Sequence, residues 1–98
     1  MRVVATNVRV GRLEIDIVAC EADTVVVVEV RTRGTTSWQT GLQSIDGRKA
    51  ARVRRAGEQL WRQRFERDRS VNRMRFDVAA VTFAEQGDAV VEYARGVL

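Results

Sequence analysis

The feature that most constrains this chain is residues 13–33, LEIDIVACEADTVVVVEVRTR, two β-branched runs separated by a polar break at EAD. Such runs favour extended backbone, and the short break between them predicts an antiparallel hairpin. On the first strand Leu13, Ile15 and Ile17 are expected on one face, with Glu14, Asp16 and Val18 on the other. On the second, Val26, Val28 and Val30 oppose Val25, Val27, Glu29 and Arg31. Each strand thus carries a carboxylate where a core strand should be apolar, and burying a charge is costly unless something neutralises it.

An even turn centred on Ala22 and Asp23 pairs residues whose numbers add to 45. Asp16 then faces Glu29, Glu14 faces Arg31 and Arg12 faces Arg33, while Ile15 meets Val30 and Ile17 meets Val28. Directly opposed side chains have Cβ atoms roughly 4.5–5.5 Å apart, a separation at which like charges repel. Three remedies exist: a raised pKa on one carboxyl, a nearby basic side chain, or a divalent cation that takes an oxygen from each. Mg²⁺ suits the third, because it binds through one or two carboxylates and completes its octahedron with water and phosphate oxygens. A phosphodiester is the substrate such a site suggests.

Around the hairpin, Val3 to Val10 reads as a first strand ended by Gly11. A helix capped by Asp46 is expected to run to about Arg69, with Val53, Ala56, Leu60, Trp61 and Phe65 on its apolar stripe. Arg75 to Phe83 and Ala89 to Ala94 form two further strands joined at Gln86–Asp88. The expected order is β-β-β-α-β-β, an α/β fold with a mixed sheet of about five strands and one long helix. The 98 residues, with no proline and no repeat, suit one domain spanning 1–98.

The absence of histidine and the single cysteine, Cys20, exclude an internal disulfide, a His-based triad and a His/Cys zinc site. No stretch is apolar enough to span a bilayer or act as a secretory signal, so the expectation is a cytoplasmic protein with no membrane partner. The charge is uneven: residues 47–75 hold eleven basic and three acidic side chains, the rest six basic and ten acidic. Arg48, Arg52 and Arg55 share one side of the helix, a stripe suited to phosphates, although a solvated face would look the same. With so large a basic excess, nucleic-acid contact is favoured. In the polar loop RGTTSWQTGLQSI, Arg33 is a candidate backbone contact and Trp38 a base-stacking candidate, whereas Trp61 belongs to the apolar stripe.

These segments resemble a known family. Asp16, the thirteen-residue step to Glu29 and the Glu-Val-Arg beginning there are similar to the D…(D/E)-x-K signature of the PD-(D/E)xK nuclease superfamily, which includes Holliday-junction resolvases. The segments LEIDIVA, VVVVEVRTR, SIDGRKAARVRRAGEQL and RFDVAAV resemble, in order and over almost the whole chain, those of the YraN-like family of endonuclease-like bacterial proteins. The resemblance implies a restriction-endonuclease-like fold and a metal-dependent nuclease acting on DNA. It also implies that Asp16, Glu29 and the backbone carbonyl of Val30 hold Mg²⁺ or Mn²⁺, and that Arg31 occupies the position of the catalytic lysine.

Two departures stand out. Arginine stays charged at any useful pH, so Arg31 can stabilise a phosphate but not deprotonate water, and pairing with Glu14 is an equal alternative. Lys49, the only lysine among seventeen basic residues, is the candidate to take over that role from the helix, against the alternative of a solvated surface lysine. The family also carries an N-terminal helix ahead of the first strand, whereas Met1 here falls where that strand begins. Either departure is compatible with a rival reading, a non-catalytic nucleic-acid-binding module with a degenerate nuclease site. A third reading is a small dimerising protein with salt-bridged acids. Cutting two strands symmetrically would favour a homodimer.

Overall fold

The computed structural model describes residues 1–33 and 47–98. It is an α/β fold in the expected order: β1 (Arg2–Val10), β2 (Leu13–Glu21), β3 (Thr24–Arg33), α1 (Gly47–Leu60), β4 (Arg73–Phe83) and β5 (Ala89–Ala94). The strands form one sheet in chain order, β1-β2-β3-β4-β5. Every neighbouring pair is antiparallel except β3 and β4, which run parallel from Thr24/Arg73 to Arg33/Thr82 with α1 in the crossover between them. The expected cap Asp46 and the loop with Trp38 lie outside the described residues. Among the described residues no helix is long and apolar enough to cross a membrane.

Strand β3 is the centre of the molecule. Val25, Val26, Val27 and Val28 are all buried, the unbroken apolar run expected of a strand covered on both faces. On one face Val25 and Val27 join Val8, Val10, Ile15, Val18, Ala56, Leu60 and Phe65 in the main core beneath α1. On the other, Val26 and Val28 pack with Ala19, Ile17 and Ala79. Helix α1 comes very close to β4 at Gly57, where a Cβ would stand 2.4 Å from Phe76 Cε1, so only a glycine permits this approach.

Two expectations are corrected. The helical turns end at Phe65, not near Arg69: the last turn, Trp61–Phe65, widens so that the Glu66 N–H reaches the Trp61 carbonyl at 2.8 Å. Beyond it the Asp68 carboxylate accepts from both the N–H and the hydroxyl of Ser70, at 2.9 and 2.6 Å, and this local bond competes with helix continuation. On β2, Ile17 does not share a face with Leu13 and Ile15. Those two pack toward α1, as do Val18 and Cys20, whereas Ile17 and Ala19 face the other side. Strict alternation therefore fails between Ile15 and Val18. Opposite this slip, Asn7 of β1 takes left-handed backbone with φ 51°.

Candidate functional site

The hairpin forms in the anticipated register, from Glu21–Thr24 to Ile17–Val28. Its turn places Ala22 at φ 53°, the positive value a tight hairpin requires, without a glycine to relieve it. Among the described residues the β2–β3 ladder then stops. The expected pairs Asp16–Glu29, Glu14–Arg31 and Ile15–Val30 are not formed as backbone partners, while on their other edges Glu14 stays in register with Arg9 of β1 and Arg31 with Ala80 of β4.

The reason is a side chain. Asp16 Oδ2 accepts the Val30 N–H at 2.8 Å, a bond that a continued ladder would have given to a β2 carbonyl. The carboxylate wedges the strands into a fork, with β2 held by β1 and β3 by β4. Because the N–H and C=O of one residue in a strand project to the same side, the Val30 carbonyl also faces this fork.

On the α1 side the fork opens into a cleft of about 290 Å³, walled by Asp16 and Glu29 from the strands and by Lys49, Arg52, Val53 and Ala56 from the helix. The Glu29 side chain is only 7% exposed, and Lys49, itself 34% exposed, reaches down to place Nζ 2.8 Å from Glu29 Oε1. Burial pushes the Glu29 carboxyl above its ordinary range and the neighbouring Asp16 charge adds to this, while the Lys49 ammonium pulls the other way. Lys49 is therefore not a solvated surface lysine. It is a cation standing against the buried acid.

Other predicted residues surround this centre. Arg31 is half-buried, two positions beyond Glu29 on β3. Arg48, Arg52 and Arg55 are all exposed on α1. Arg52 borders the cleft, whereas Arg55 borders a separate groove beside Val97 and Leu98. Arg33 ends β3 in register with Thr82. Trp61 packs partly buried against the core, its ring 6.2 Å from that of Phe65, as the apolar stripe predicts.

The donor set here is two carboxylates and a backbone carbonyl, all hard oxygen. Among the described residues no group of three or more His, Cys, Asp or Glu side chains could enclose a metal ion. A cation at Asp16 and Glu29 would have to keep several waters or accept substrate oxygens, which is how Mg²⁺ and Mn²⁺ are commonly bound. The residues fit that group, and the ammonium on Glu29 marks where positive charge is wanted.

A second charged cluster escaped the sequence reading. On the face away from α1, Asp77 is fully buried and receives Arg75 Nε and a terminal guanidinium nitrogen at 2.9 and 3.0 Å. It also accepts from the Tyr93 hydroxyl at 2.5 Å and the Gly96 N–H at 2.9 Å. Arg75 extends to Glu21 at 3.2 Å. Burial alone would raise the Asp77 carboxyl, but the bonds from Arg75, Tyr93 and Gly96 outweigh it and hold it below the usual range. Tyr93 is pushed up to about 12, by burial and then by its bond to Asp77. The available signal was the alternation RMRFDV, which sets Arg75 and Asp77 against Met74, Phe76 and Val78 in an otherwise apolar strand.

A family model described as "Uncharacterised protein family UPF0102" matches residues 1–81. A UPF0102 protein of Sorangium cellulosum is 59% identical over 92 residues, covering 94% of this chain and 64% of its own length. The chain therefore spans somewhat less than two thirds of that relative. UPF0102 proteins of Kineococcus radiotolerans and Pseudomonas fluorescens are 42% and 41% identical, with 99% and 97% of this chain and 78% and 76% of theirs covered.

Proposed function

This chain belongs to the UPF0102 family, and from the geometry of its cleft we propose that it is a metal-dependent, nuclease-like protein acting on DNA phosphodiesters. The observation that carries the reading is the fork itself, where Asp16 and the buried Glu29 converge beneath Lys49. Asp16, Glu29 and the Val30 carbonyl are the groups that would hold Mg²⁺ or Mn²⁺. When bound, such an ion would polarise the phosphodiester and lower the pKa of an attacking water.

The chain's own residues supply the rest. Val30 N–H fixes one oxygen of Asp16, so the carboxylate is oriented before anything binds. Lys49 neutralises Glu29 in the free protein and, on its flexible stem, can turn to a phosphate oxygen once the acid has another partner. Arg31 adds positive charge along the same strand but cannot act as a base. Arg52 at the cleft border, with Arg48 and Arg55 outside it, would grip the DNA backbone.

The test is incubation of plasmid, single-stranded and branched DNA with the protein and Mg²⁺ or Mn²⁺, with Asp16→Ala in parallel. Cleavage by the wild type and none by Asp16→Ala supports the reading. If all DNA survives but salt-sensitive binding persists and weakens in Arg52→Ala, the chain is a binding module with a degenerate site, and the enzymatic part is wrong.

A further inference from the structure

Asn7 stands in the middle of β1 at φ 51°, a region that asparagine tolerates better than other side chains but which still carries a cost. Its neighbours are in register, Thr6 with Ile17 and Val8 with Ile15, so Asn7 lies opposite Asp16. It is also exposed, so no apolar packing explains the choice of residue. A bend alone would be served at least as well by glycine. Strained, exposed polar residues beside a reactive group are a recurring mark of function.

Asn7 and Asp16 both line a hollow of about 490 Å³, together with Thr6, Ile17 and Val30. Ile17 and Thr6, its register partner, belong to the face away from α1. Asp16 also lines the cleft beneath α1. The fork therefore makes one carboxylate reachable from both sides of the sheet. Of the residues lining this hollow, Thr6 carries a hydroxyl, Asn7 a carboxamide and Asp16 a carboxylate. Neutral and anionic oxygens of this kind are what a hard divalent cation selects.

We propose that Asn7 is a binding residue on the far side of this fork: opposite Asp16 in register and lining the same hollow, its carboxamide oxygen helps to hold a divalent cation on that carboxylate. The inference rests on the reading of Asp16 as a cation ligand. It assigns the irregularity in β1 a chemical purpose that a purely structural bend would lack.

The test is Mn²⁺ binding to the full chain by calorimetry or electron paramagnetic resonance, with thermal melts of each variant. Asn7→Gly keeps the backbone conformation and removes only the side chain, so its melting temperature should hold or rise while its Mn²⁺ affinity falls about tenfold. Asn7→Asp, which restores an oxygen, should bind at least as tightly as the wild type. If Asn7→Gly binds Mn²⁺ like the wild type while Asp16→Ala does not bind, Asn7 is structural and this inference alone fails. If the wild type takes up no Mn²⁺, or Asp16→Ala binds it unchanged, the reading of the cleft fails with it.

Discussion

Among the described residues two carboxylates, Glu29 and Asp77, are buried on opposite faces of one sheet, and they are treated in opposite ways. Asp77 is fully enclosed and receives a two-point guanidinium contact, a phenol and a backbone N–H. Glu29 is nearly as buried, yet its described ion-pair partner is one ammonium on a flexible, partly exposed stem, and a second carboxylate stands beside it. The first arrangement leaves little for an incoming cation to improve. The second leaves a charge imbalance that a small ion and a phosphate could correct. Similar components make a lock on one face and an open site on the other, and the difference lies in how completely the acid is satisfied.

The largest effect should come from breaking the lock. Asp77→Ala leaves Arg75 half-buried without its main partner and should cost about 3–5 kcal/mol in urea unfolding at neutral pH. The folded pKa of Asp77 is depressed, so its contribution is present above the unfolded carboxylate pKa and is lost as pH falls through the folded value. The gap between wild type and Asp77→Ala should therefore narrow in acid. A gap independent of pH would show that Asp77 acts through packing and not through its charge.

Next in size is the contact that seats α1 over both regions. Gly57→Ala puts a methyl where Phe76 already stands, and overpacking of this kind costs about 1–3 kcal/mol. Because α1 carries Lys49 and Arg52, the variant should also weaken whatever DNA binding the wild type shows at low salt. Unchanged stability would mean that Phe76 swings aside freely.

The open site should behave in the opposite sense to the lock. Glu29 has a raised folded pKa, so its contribution is present below the unfolded value and lost as pH rises through the folded one. At neutral pH Glu29→Gln should then be neutral or stabilising, within about 1 kcal/mol, since Lys49 can retreat to water. The same variant should lose any rise in melting temperature that Mg²⁺ gives the wild type, a rise expected by mass action if the ion binds only the folded state. Strong destabilisation by Glu29→Gln would assign this acid to the scaffold and erase the contrast between the faces.

The smallest effect belongs to the turn of the hairpin that carries both acids. Ala22 holds a positive φ, and Ala22→Gly should gain about 1 kcal/mol or less, measured by thermal or urea unfolding. A loss instead would mean that the freedom gained by the unfolded chain outweighs the relieved strain.

Much of this was legible in the residues. The β-branched runs and the EAD turn specify the hairpin and its register, because a shift by one residue would turn the valines of β3 to the wrong faces. The apolar stripe Val53, Ala56, Leu60 and Phe65 specifies a helix laid on that sheet, and the carboxylates Asp16 and Glu29 on the two strands mark the candidate site, although the direct pairing expected of them does not form. These features are local and periodic, and periodicity is written in the chain.

What only the tertiary structure decided are the places where a side chain overrides the pattern. The ladder stops at Asp16, whose carboxylate takes the Val30 N–H, and the faces of β2 slip opposite Asn7, which adopts left-handed backbone. Lys49 meets Glu29 because Gly57 lets α1 settle against Phe76 of β4. Asp77 is held by Arg75 of its own strand and, from later segments, by the Tyr93 hydroxyl of β5 and the Gly96 N–H, contacts that only the folded chain assembles. Patterns along a sequence state which face a residue prefers; only the meeting of separate segments states which partner it finds there.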